Sequence, residues 1–527
     1  MKKYENGSGL HEKVLSGVNK LTDNVASTMG PRGKTVILQQ NGRAPIVTKD
    51  GVSVARFIDF EDPFENAAAE IIKQAAEETN SAAGDGTTTA TVLARAILTK
   101  AHKFIAAGHA PVEIKRGIDI AVEHLVQAIN EAAVPISSLD DIINIATISA
   151  NGDELVGKLI GEAVDSIGKD GSITIKESKS TDTTIEVVEG FRFDGGVCSS
   201  KFITNERLNT MVYKDPYFLI TDETIDQVSQ IFPALELVAR EKRPLIVVAQ
   251  EIQDDALAVL IMNAVRGTLK VAAIKAPAYG EERKEILSDL AVATGATFFS
   301  QNSADPRGVS EVTLKDLGRA DSIEASKRKT TIISGDSDPD KIADRIASLD
   351  AEIEESNDIR ECEKLQARIV RLASSVAIIH VGGFTEIEMI ERKHRVEDAL
   401  EAVRSAQVEG VVPGSGTALL RAREVLDGLS IEGHPDQDVG IMVVKQCCEA
   451  PLRQIIVNAE LSPDIIIFDI ENSNDSDAVY DFNEQDYVNA WEAGIIDPAK
   501  VVKCALQNAA SAAGALIMSD YAIIERE

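Results

Sequence analysis

The sequence predicts a multidomain α+β protein, and three observations lead to this class. The chain has 527 residues, which is too long for one hydrophobic core and predicts two to four domains. Aromatic residues make up only 4% of it, so the cores must be built mainly from Ala, Val, Ile and Leu, which favours helix-rich layers over a β-sandwich. The outer segments have the pattern of Ala-rich helices whereas the centre alternates strands with helices, which indicates a central part inserted into a domain built from both chain ends.

The N-terminal part is predicted to be nearly all helix. A helix is expected from residue 9 to a glycine-bearing loop at 29–34, followed by an apolar strand at 35–38. A turn at 48–52 precedes another helix. Helical spacing of apolar residues then predicts helices over 67–83, 87–101 and 111–132.

Strand signals begin after Pro135. Short β-type runs occur at 172–175 and 184–188. The continuous apolar runs at 245–249 and 271–274 are typical of buried strands, and an amphipathic helix precedes each, which predicts a compact α/β domain. The charged segment 338–372 has apolar residues spaced four and three apart, so it predicts a hairpin of two helices with solvated charged faces.

Composition and charge exclude several function classes. A net charge of −31 gives no basic surface for nucleic acid or anionic membranes. The N-terminus lacks an apolar signal core and the chain lacks a membrane-length apolar run, so we expect a cytoplasmic protein. The five cysteines are odd in number and form no C-x-x-C, which indicates a reducing compartment, and the seven histidines are scattered without zinc-ligand spacing.

The segment Gly84-Asp85-Gly86-Thr87-Thr88-Thr89 lies between two predicted helices. A glycine turn at a helix N-terminus offers free N–H groups and a positive dipole to phosphate oxygens, and Asp85 could hold Mg²⁺ as an oxygen ligand. The alternative is an ordinary turn whose threonines only cap the helix.

A second glycine loop, Thr28-Met29-Gly30-Pro31-Arg32-Gly33-Lys34, follows the first helix. Only two residues separate its glycines, whereas the G-x-x-x-x-G-K-[ST] loop needs four to wrap phosphates. No G-x-G-x-x-G occurs, which removes the usual argument for a dinucleotide fold. A nucleotide site here therefore requires a different fold.

Other candidate residues are acidic or apolar. Asp50 and Asp398 could position a metal or the attacking water of phosphoanhydride hydrolysis, although a helix cap or a surface charge is the simpler interpretation of either. The segment Val412-Pro413-Gly414-Ser415-Gly416 is a further nucleotide-contact candidate. The apolar helices near 231–235 and 256–262 either cover the central sheet or expose a groove for polypeptides.

Together these motifs resemble the group I chaperonins, the GroEL-type family. The matching stretches are Thr48-Lys49-Asp50-Gly51-Val52-Ser53-Val54-Ala55-Arg56, Ala83-Gly84-Asp85-Gly86-Thr87-Thr88-Thr89-Ala90-Thr91-Val92-Leu93, Thr147-Ile148-Ser149-Ala150-Asn151, Val271-Ala272-Ala273-Ile274-Lys275-Ala276-Pro277, Arg395-Val396-Glu397-Asp398-Ala399-Leu400, Ala450-Pro451-Leu452-Arg453-Gln454-Ile455 and Gly494-Ile495-Ile496-Asp497-Pro498. Several long matches in the family's order, spread over the whole chain, carry the resemblance.

The resemblance implies three domains. These are a mostly helical equatorial ATPase domain (1–131 and 409–527), a small α/β intermediate domain (132–188 and 376–408) and an inserted α/β apical domain (189–375). It also implies ATP and Mg²⁺ as cofactors, with K⁺ as a further candidate, and the implied nucleotide contacts are Thr28, Met29, Gly30, Pro31, Lys49, Asp85, Gly86, Thr87, Thr88, Thr89, Gly414, Asn483 and Asp497. Asp85 is the implied metal ligand, and Asp398 and Asp50 are the implied catalytic residues.

The resemblance further implies that non-native polypeptides and a GroES-type lid co-chaperonin bind the apical domain, at Phe202, Phe232, Leu235, Leu257, Ile261 and Met262. A homo-heptameric ring, single or double, is expected, with no nucleic-acid or membrane partner. The location implied is the cytoplasm, which is the host bacterial cytoplasm if the chain is phage-encoded.

Departures from the family pattern indicate a divergent member, either a paralogue or a phage-encoded protein. One adenosine-loop glycine is Ser415, and a hinge glycine pair is Ser374-Ser375, which predicts restricted apical motion. An acidic partner of Arg453 at the family's inter-ring surface aligns with Ser462, which predicts a weakened stack of rings.

Three functional hypotheses follow from these observations. The first is an ATP-driven chaperonin that encloses and folds non-native protein. The second is a nucleotide-binding holdase or scaffold with reduced cycling, which the altered hinge favours and the retained acidic residues oppose. The third, a small-molecule enzyme, has no acid–base or nucleophile constellation outside the phosphate loops to support it.

Overall fold

The fold is described from a computed structural model. The residues that the structure describes are 2–39, 45–136, 138–150, 152–167, 172–178, 180–205, 208–300, 307–335, 338–355 and 359–525. The chain divides into two compact units. Unit 1 comprises Met1–Glu162, Glu177–Thr184 and His380–Glu527, and unit 2 comprises Ala163–Lys176 and Ile185–Ile379.

The helices have the following bounds: α1 Gly7–Ala26, α2 Gly51–Phe57, α3 Pro63–Ala83, α4 Thr87–Ala106, α5 Pro111–Ala132, α6 Leu139–Ser149, α7 Glu154–Ile167, α8 Val228–Glu241, α9 Asp254–Arg266, α10 Gly280–Thr294, α11 Pro339–Glu355, α12 Ile359–Leu372, α13 Glu386–Glu409, α14 Thr417–Ala422, α15 Pro435–Cys447, α16 Ala450–Asn458, α17 Pro463–Glu471 and α18 Ala499–Ile517.

The strands are β1 Lys2–Asn6, β2 Val36–Leu38, β3 Ile46–Thr48, β4 Ser172–Glu177, β5 Thr184–Phe193, β6 Met211–Lys214, β7 Tyr217–Thr221, β8 Thr224–Ile225, β9 Leu245–Ala249, β10 Glu251–Ile252, β11 Val271–Lys275, β12 Phe298–Phe299, β13 Gly318–Ala325, β14 Thr330–Gly335, β15 Ser375–Val381, β16 Val411–Pro413, β17 Ala478–Asp481, β18 Asp486–Asn489, β19 Ile496–Pro498 and β20 Tyr521–Glu525.

Unit 1 is a bundle of long helices from both ends of the chain. Helix α18 packs against α3, α4 and α5, and α15 packs against α5. The core they share is rich in Ala, Val, Ile and Leu, so the helices approach closely. At the crossing of α5 and α15 glycine is required, because a Cβ on Gly117 would lie 2.0 Å from the Gln437 carbonyl oxygen.

The helices predicted in the N-terminal part are confirmed, with small shifts at their ends. The helix predicted over 67–83 begins at Pro63, because Asp62 caps it by accepting from the Phe64 N–H at 2.8 Å. Helix α4 continues to Ala106, five residues beyond its predicted end. Helix α5 has the predicted bounds.

Unit 2 is built on a mixed sheet. The strand order is β11-β9-β7-β13-β14-β5-β15-β4, with β12 beside β7 and β6 beside β13. The strands predicted at 245–249 and 271–274 are β9 and β11, which pair in parallel and are almost fully buried. Helices α11 and α12 form the predicted hairpin.

The fold is therefore multidomain α+β, as predicted. The insertion of a sheet-containing centre between helical ends is also seen in the division of the chain. The three-domain boundaries at 131, 188, 375 and 408 stay a prediction. Within the part of the chain that the structure describes, no helix has both the length and the apolar character needed to cross a bilayer.

Candidate nucleotide site

Unit 1 contains a cavity of about 730 Å³, within the size range of small-molecule sites. Its walls come from loops and helix ends rather than from one element. The predicted residues that line it are Thr28, Met29, Gly30, Pro31, Lys49, Asp50, Asp85, Gly86, Thr87, Thr88, Thr89, Asp398, Asn483 and Asp497. Residues far apart in the sequence thus meet at one concave surface.

The turn between α3 and α4 gives the cavity its strongest anion-binding feature. Gly84 and Gly86 flank Asp85 and both have positive φ, +76° and +94°. Gly86 precedes the first residue of α4, and no side chain among the described residues caps that helix. The N–H groups of its first turn (Thr87, Thr88 and Thr89) are therefore available to an anion, with the positive end of the helix dipole behind them.

Close contacts leave no room for a side chain at this turn. A Cβ on Gly84 would lie 2.1 Å from the Glu401 Cβ on α13, and one on Gly86 would lie 2.9 Å from the Val501 Cγ1 on α18. Both distances are shorter than van der Waals contact. The turn is thus fixed by two helices as well as by its own conformation.

The loop after α1 forms the neighbouring wall. Gly30 has a φ of +83°, and the Gly33 N–H donates to the Gly30 carbonyl at 3.0 Å. Thr28 is buried, and its hydroxyl donates to the Val25 carbonyl at 2.8 Å. Because this hydroxyl is held by the helix end, the loop presents mainly backbone to the cavity.

Asp50 lines the cavity and also caps α2. Its carboxylate accepts from the Val52 N–H at 3.0 Å, from the Ser53 N–H at 3.1 Å and from the Ser53 hydroxyl at 2.6 Å. The simpler interpretation of this residue, a helix cap, is therefore correct in the structure. A catalytic role for Asp50 stays a prediction. In that role the carboxylate that caps α2 would also act at the cavity wall.

Asp85 and Asp497 bring two carboxylates together. Burial, with the negative charge of Asp85, raises the pKa of the Asp497 carboxyl to about 7, although the Gly416 N–H that it accepts acts in the opposite direction. The Asp85 carboxylate also accepts the Gly86 N–H at 2.5 Å. A pair of carboxylates that repel each other is a chemically suitable place for a divalent cation.

Protein side chains alone do not complete such a cation site. In the described ranges, no group of three or more His, Cys, Asp or Glu side chains converges closely enough to hold a metal. Mg²⁺ in proteins commonly takes only one or two carboxylates, with water and substrate phosphates as its other ligands. The residues present therefore fit a Mg²⁺ that binds together with phosphate.

Asp398 is half-buried on α13, where it lines the cavity. One turn earlier, Arg395 donates to the carboxylates of Asp153 at 3.2 Å and Glu391 at 2.7 Å. These ion pairs limit rotation of this part of α13. Asp398 is thus a carboxylate on a helix whose rotation is limited. It lines the same cavity as the first turn of α4 and the loop after α1.

The other end of the cavity is more apolar. Tyr480 and Phe482 are buried, with ring centroids 5.1 Å apart in an edge-to-face arrangement, and Ile455 lies beside them in the same cluster. Asn483 follows on the exposed turn between β17 and β18. A flat apolar group with polar edges would fit here.

The predicted nucleotide contact of Gly414 stays a prediction, although the structure places its neighbours rather than Gly414 itself at the cavity wall. Gly414 is not among the described residues that line the cavity, whereas Ser415 and Gly416 are. The Gly414 N–H donates to the Ile495 carbonyl at 2.9 Å, so this residue is used to hold the loop against the chain before β19. Ser415 has a φ of +57°, a conformation that glycine adopts more easily.

Sequence reasoning missed one wall of the cavity. This wall comes mainly from α6 and the residues that follow it. Other missed residues belong to α3, α16, β17 and the segment before β19. The missed residues include Asn80, Asn144, Thr147, Ile148, Ser149, Gly152, Glu154, Pro451, Ile455, Tyr480, Gly494 and Ile495. Two family-like stretches, 147–151 and 450–455, contain several of them but carried no assigned role. Asn151 lies outside the described residues.

Unit 2 carries the predicted polypeptide-binding residues, and only some of them are exposed. Phe232 is 58% exposed and Met262 is 49% exposed, while Leu257 and Ile261 are partly buried against the core. Phe202 and Leu235 are only 1% and 6% exposed because both pack into the sheet core, and polypeptide binding at these two residues stays a prediction. Val265, which was not predicted, is 64% exposed. We call Phe232, Met262 and Val265 the α8–α9 surface.

The fold is that of a chaperonin-type protein. The sequence model of the TCP-1/cpn60 chaperonin family matches residues 21–527, and the chain therefore belongs to this family. The chaperonin gp146 from bacteriophage EL 2 (Pseudomonas aeruginosa), crystallised in the presence of ATP-BeFx, has a similar structure in two crystal forms. The TM-scores are 0.66 and 0.62, with 22% sequence identity and 99% of each chain covered in both comparisons.

Proposed function

We propose that this chain is an ATP-driven chaperonin subunit that binds ATP in the unit 1 cavity, hydrolyses it and uses the cycle to fold non-native polypeptides. One observation carries the proposal. The uncapped N-terminus of α4, which directly follows the Gly84-Asp85-Gly86 turn, lies in the same cavity as the carboxylates of Asp50, Asp85 and Asp398.

The phosphate groups are assigned to the α4 end of the cavity. Backbone N–H groups of Thr87, Thr88 and Thr89 would donate to phosphate oxygens there, and Lys49 would add positive charge. Mg²⁺ would be held by Asp85 and would neutralise phosphate charge when bound. K⁺ is a further candidate cation for the same end.

The nucleoside is assigned to the other end. Tyr480, Phe482 and Ile455 supply apolar surface for the base, and Asn483 supplies a polar edge. Asp497, which accepts the Gly416 N–H and lines the cavity, would accept a ribose hydroxyl. The similar phage chaperonin was crystallised in the presence of ATP-BeFx, which supports nucleotide binding by this chain.

Hydrolysis needs a carboxylate that orients the attacking water. Asp398 has this role in the proposal, since it lines the cavity from a separate helix, and Asp50 supports the γ-phosphate side. Neither residue needs to form a covalent bond. Positioning and charge account for the catalysis of phosphoryl transfer to water.

The assembly belongs to the same proposal. Non-native polypeptides would bind at the α8–α9 surface, because apolar exposed side chains recognise unfolded chains without sequence preference. A homo-heptameric ring, single or double, with a GroES-type lid, is the expected assembly. We expect it to work in the cytoplasm, which is that of a host bacterium if the chain is phage-encoded.

Replacing Asp398 tests the proposal. The variant Asp398→Ala should bind ATP with nearly wild-type affinity but hydrolyse it at least about 100-fold more slowly, because only the water-orienting carboxylate is lost. Binding is measured by calorimetry and turnover by phosphate release. Glu123→Gln is the matched control, since Glu123 is an exposed carboxylate of α5 outside the cavity. Unchanged turnover in Asp398→Ala would refute the assigned role.

A second candidate, a nucleotide-binding holdase with reduced cycling, is favoured by one observation. The single hydrogen of the Ser374 hydroxyl is shared between the carbonyls of Gly190 at 2.8 Å and Arg371 at 2.9 Å, and the Gly190 N–H donates to the Ser374 carbonyl at 3.1 Å. These bonds cross-link two segments where the family resemblance places a hinge. ATP-dependent refolding, compared with ATP-independent suppression of aggregation, separates the two candidates.

A further inference from the structure

The last residue of α16, Asn458, holds the loop after α1. Its side-chain amide nitrogen donates to the carbonyl oxygens of Ala26 and Met29, both at 2.8 Å. Ala26 ends α1, and Met29 belongs to the loop that lines the cavity. One amide group therefore spans the point where α1 ends and the cavity wall begins.

The orientation of this amide is fixed by its partners. Two carbonyl oxygens accept hydrogen bonds but cannot donate them, so the nitrogen of Asn458 must face the loop. Its oxygen faces the other way and accepts from the Gln454 side-chain nitrogen at 3.0 Å. Both amide hydrogens and the amide oxygen are thus used.

The hydrogen bonds continue from Gln454 to α4. The Gln454 side-chain oxygen accepts from the Arg95 guanidinium at 3.2 Å, and the same guanidinium donates to the Asp23 carboxylate at 2.6 Å. Arg95 lies on α4, the helix whose first turn faces the cavity, and Asp23 lies on α1. This series of bonds links α16, α4 and α1, all of which contribute to the site or lead into it.

An apolar contact supports the same loop. A Cβ on Gly30 would lie 2.8 Å from the Ile455 Cγ2, so Gly30 sits directly against α16, one turn before Asn458. The φ of +83° at Gly30 is a conformation that the loop must hold when it faces a ligand. Helix α16 therefore sets the loop in place through one polar and one apolar contact.

We infer that Asn458 is a positioning residue for nucleotide binding, which keeps the Thr28, Met29 and Gly30 loop in its binding conformation before ATP arrives. The inference rests on the proposed function. A loop that is already ordered loses less conformational freedom on binding, so the effect falls on affinity. The groups assigned to hydrolysis, Asp50 and Asp398, lie on other elements and keep their geometry.

The test compares Asn458→Ala with Asn472→Ala. Asn472 is a matched control, because it also follows the last turn of a helix (α17) and donates through its side-chain nitrogen to a backbone carbonyl, that of Phe468 at 2.7 Å, but lies outside the cavity. We expect Asn458→Ala to raise the Kd for ATP about tenfold, as the loss of two hydrogen bonds would, while kcat at saturating ATP changes less than about twofold. Gln454→Ala should raise the Kd by a smaller factor, and it replaces Asn458→Ala if that variant does not fold.

Each outcome decides a separate point. A higher Kd with preserved kcat in the Asn458 variant, and a wild-type Kd in the Asn472 variant, supports the inference. An unchanged Kd for ATP in Asn458→Ala overturns the inference. This holds even if the melting temperature without nucleotide is lower, because Asn458 would then contribute to stability alone. If the wild-type chain itself fails to bind ATP, the proposed function falls, and this result is seen before any variant is measured.

Discussion

The cavity of unit 1 and the α8–α9 surface of unit 2 are built in opposite ways. The cavity is concave, its walls are loops and helix ends, and the groups proposed to bind an anion are the backbone N–H groups that follow the Gly84-Asp85-Gly86 turn. The α8–α9 surface consists of exposed side chains on two regular helices. A site made of backbone is sensitive to any change that moves the chain, whereas a site made of exposed side chains can change residue by residue without loss of the fold.

The largest expected effect comes from a methyl group at Gly84. In Gly84→Ala the new Cβ would lie 2.1 Å from the Glu401 Cβ, at a φ of +76°. We expect a loss of about 3 kcal/mol in the free energy of unfolding, from left-handed strain and overpacking together, and weaker ATP binding. Chemical denaturation and calorimetry measure the two effects.

Gly108→Ala is the control for this prediction. Gly108 follows α4 with a φ of +101°, but nothing lies within 4 Å of its Cβ position. This variant should lose only the conformational part, about 1 kcal/mol, and should bind ATP normally. If the two variants were equally stable, the close approach of Glu401 would not restrict the turn.

The two units should also respond differently to acid. In unit 1, burial and the neighbouring His11 lower the pKa of His102 to about 4, and its Nε2 is buried with no hydrogen-bond partner among the described residues. A folded-state pKa below the unfolded value of 6.5 means that this stability is complete above pH 6.5 and is lost as the pH falls toward 4. The loss amounts to at most about 3 kcal/mol.

In unit 2 the buried titratable group Asp316 behaves differently, because it is ionised in the folded state. Hydrogen bonds from Arg307, Thr313 and Thr297 lower the pKa of Asp316 to about 2 despite its burial, so its contribution is lost only as the pH falls from 3.8 toward 2. We therefore expect hydrogen exchange, corrected for its intrinsic pH dependence, to rise between pH 6.5 and 4 at the α1–α4 contact around His102. Asp497 acts in the opposite direction over this range, because its raised pKa of about 7 means that the folded state gains stability as it takes up a proton. In His102→Phe the rise at the α1–α4 contact should be smaller. A rise that stays the same in the variant would exclude His102 as its cause.

How much of the structure can be predicted from the sequence depends on whether the role of a residue is set by nearby positions or by residues far away in the chain. The helix periods and the glycine turn at 84–86 are local signals, so this turn and its neighbouring helices were predictable, and the candidate residues do meet in one cavity. The burial of Leu235 was not predictable, because an apolar residue on an amphipathic helix can face the core or solvent. Asn458 was missed for a related reason. Its partners Ala26 and Met29 lie more than 400 positions away, and backbone carbonyls leave no trace in a sequence.

The smallest expected effect on stability concerns the α8–α9 surface, and it separates the two kinds of site most clearly. In the double variant Phe232→Ser, Met262→Ser, capture of a chemically denatured test protein should weaken about tenfold, because two exposed apolar contacts are lost. The free energy of unfolding should change by less than about 0.5 kcal/mol, since both side chains are about half exposed in the native state. Capture is measured by fluorescence anisotropy of the labelled test protein.

Two control variants accompany this last prediction. Phe384→Ser replaces an aromatic side chain of unit 1 that is 81% exposed, and it should leave capture unchanged if the location of the apolar residue matters rather than its exposure. Leu235→Ser lies on the same helix as Phe232 but faces the core, so it should lower the free energy of unfolding by about 3 kcal/mol or more. Capture that stays at the wild-type level in the double variant would remove the α8–α9 surface from the proposal, since no other property of these two side chains recommends them for binding. Weakened capture with intact stability would show that this surface, unlike the cavity, tolerates substitution of the residues that form it.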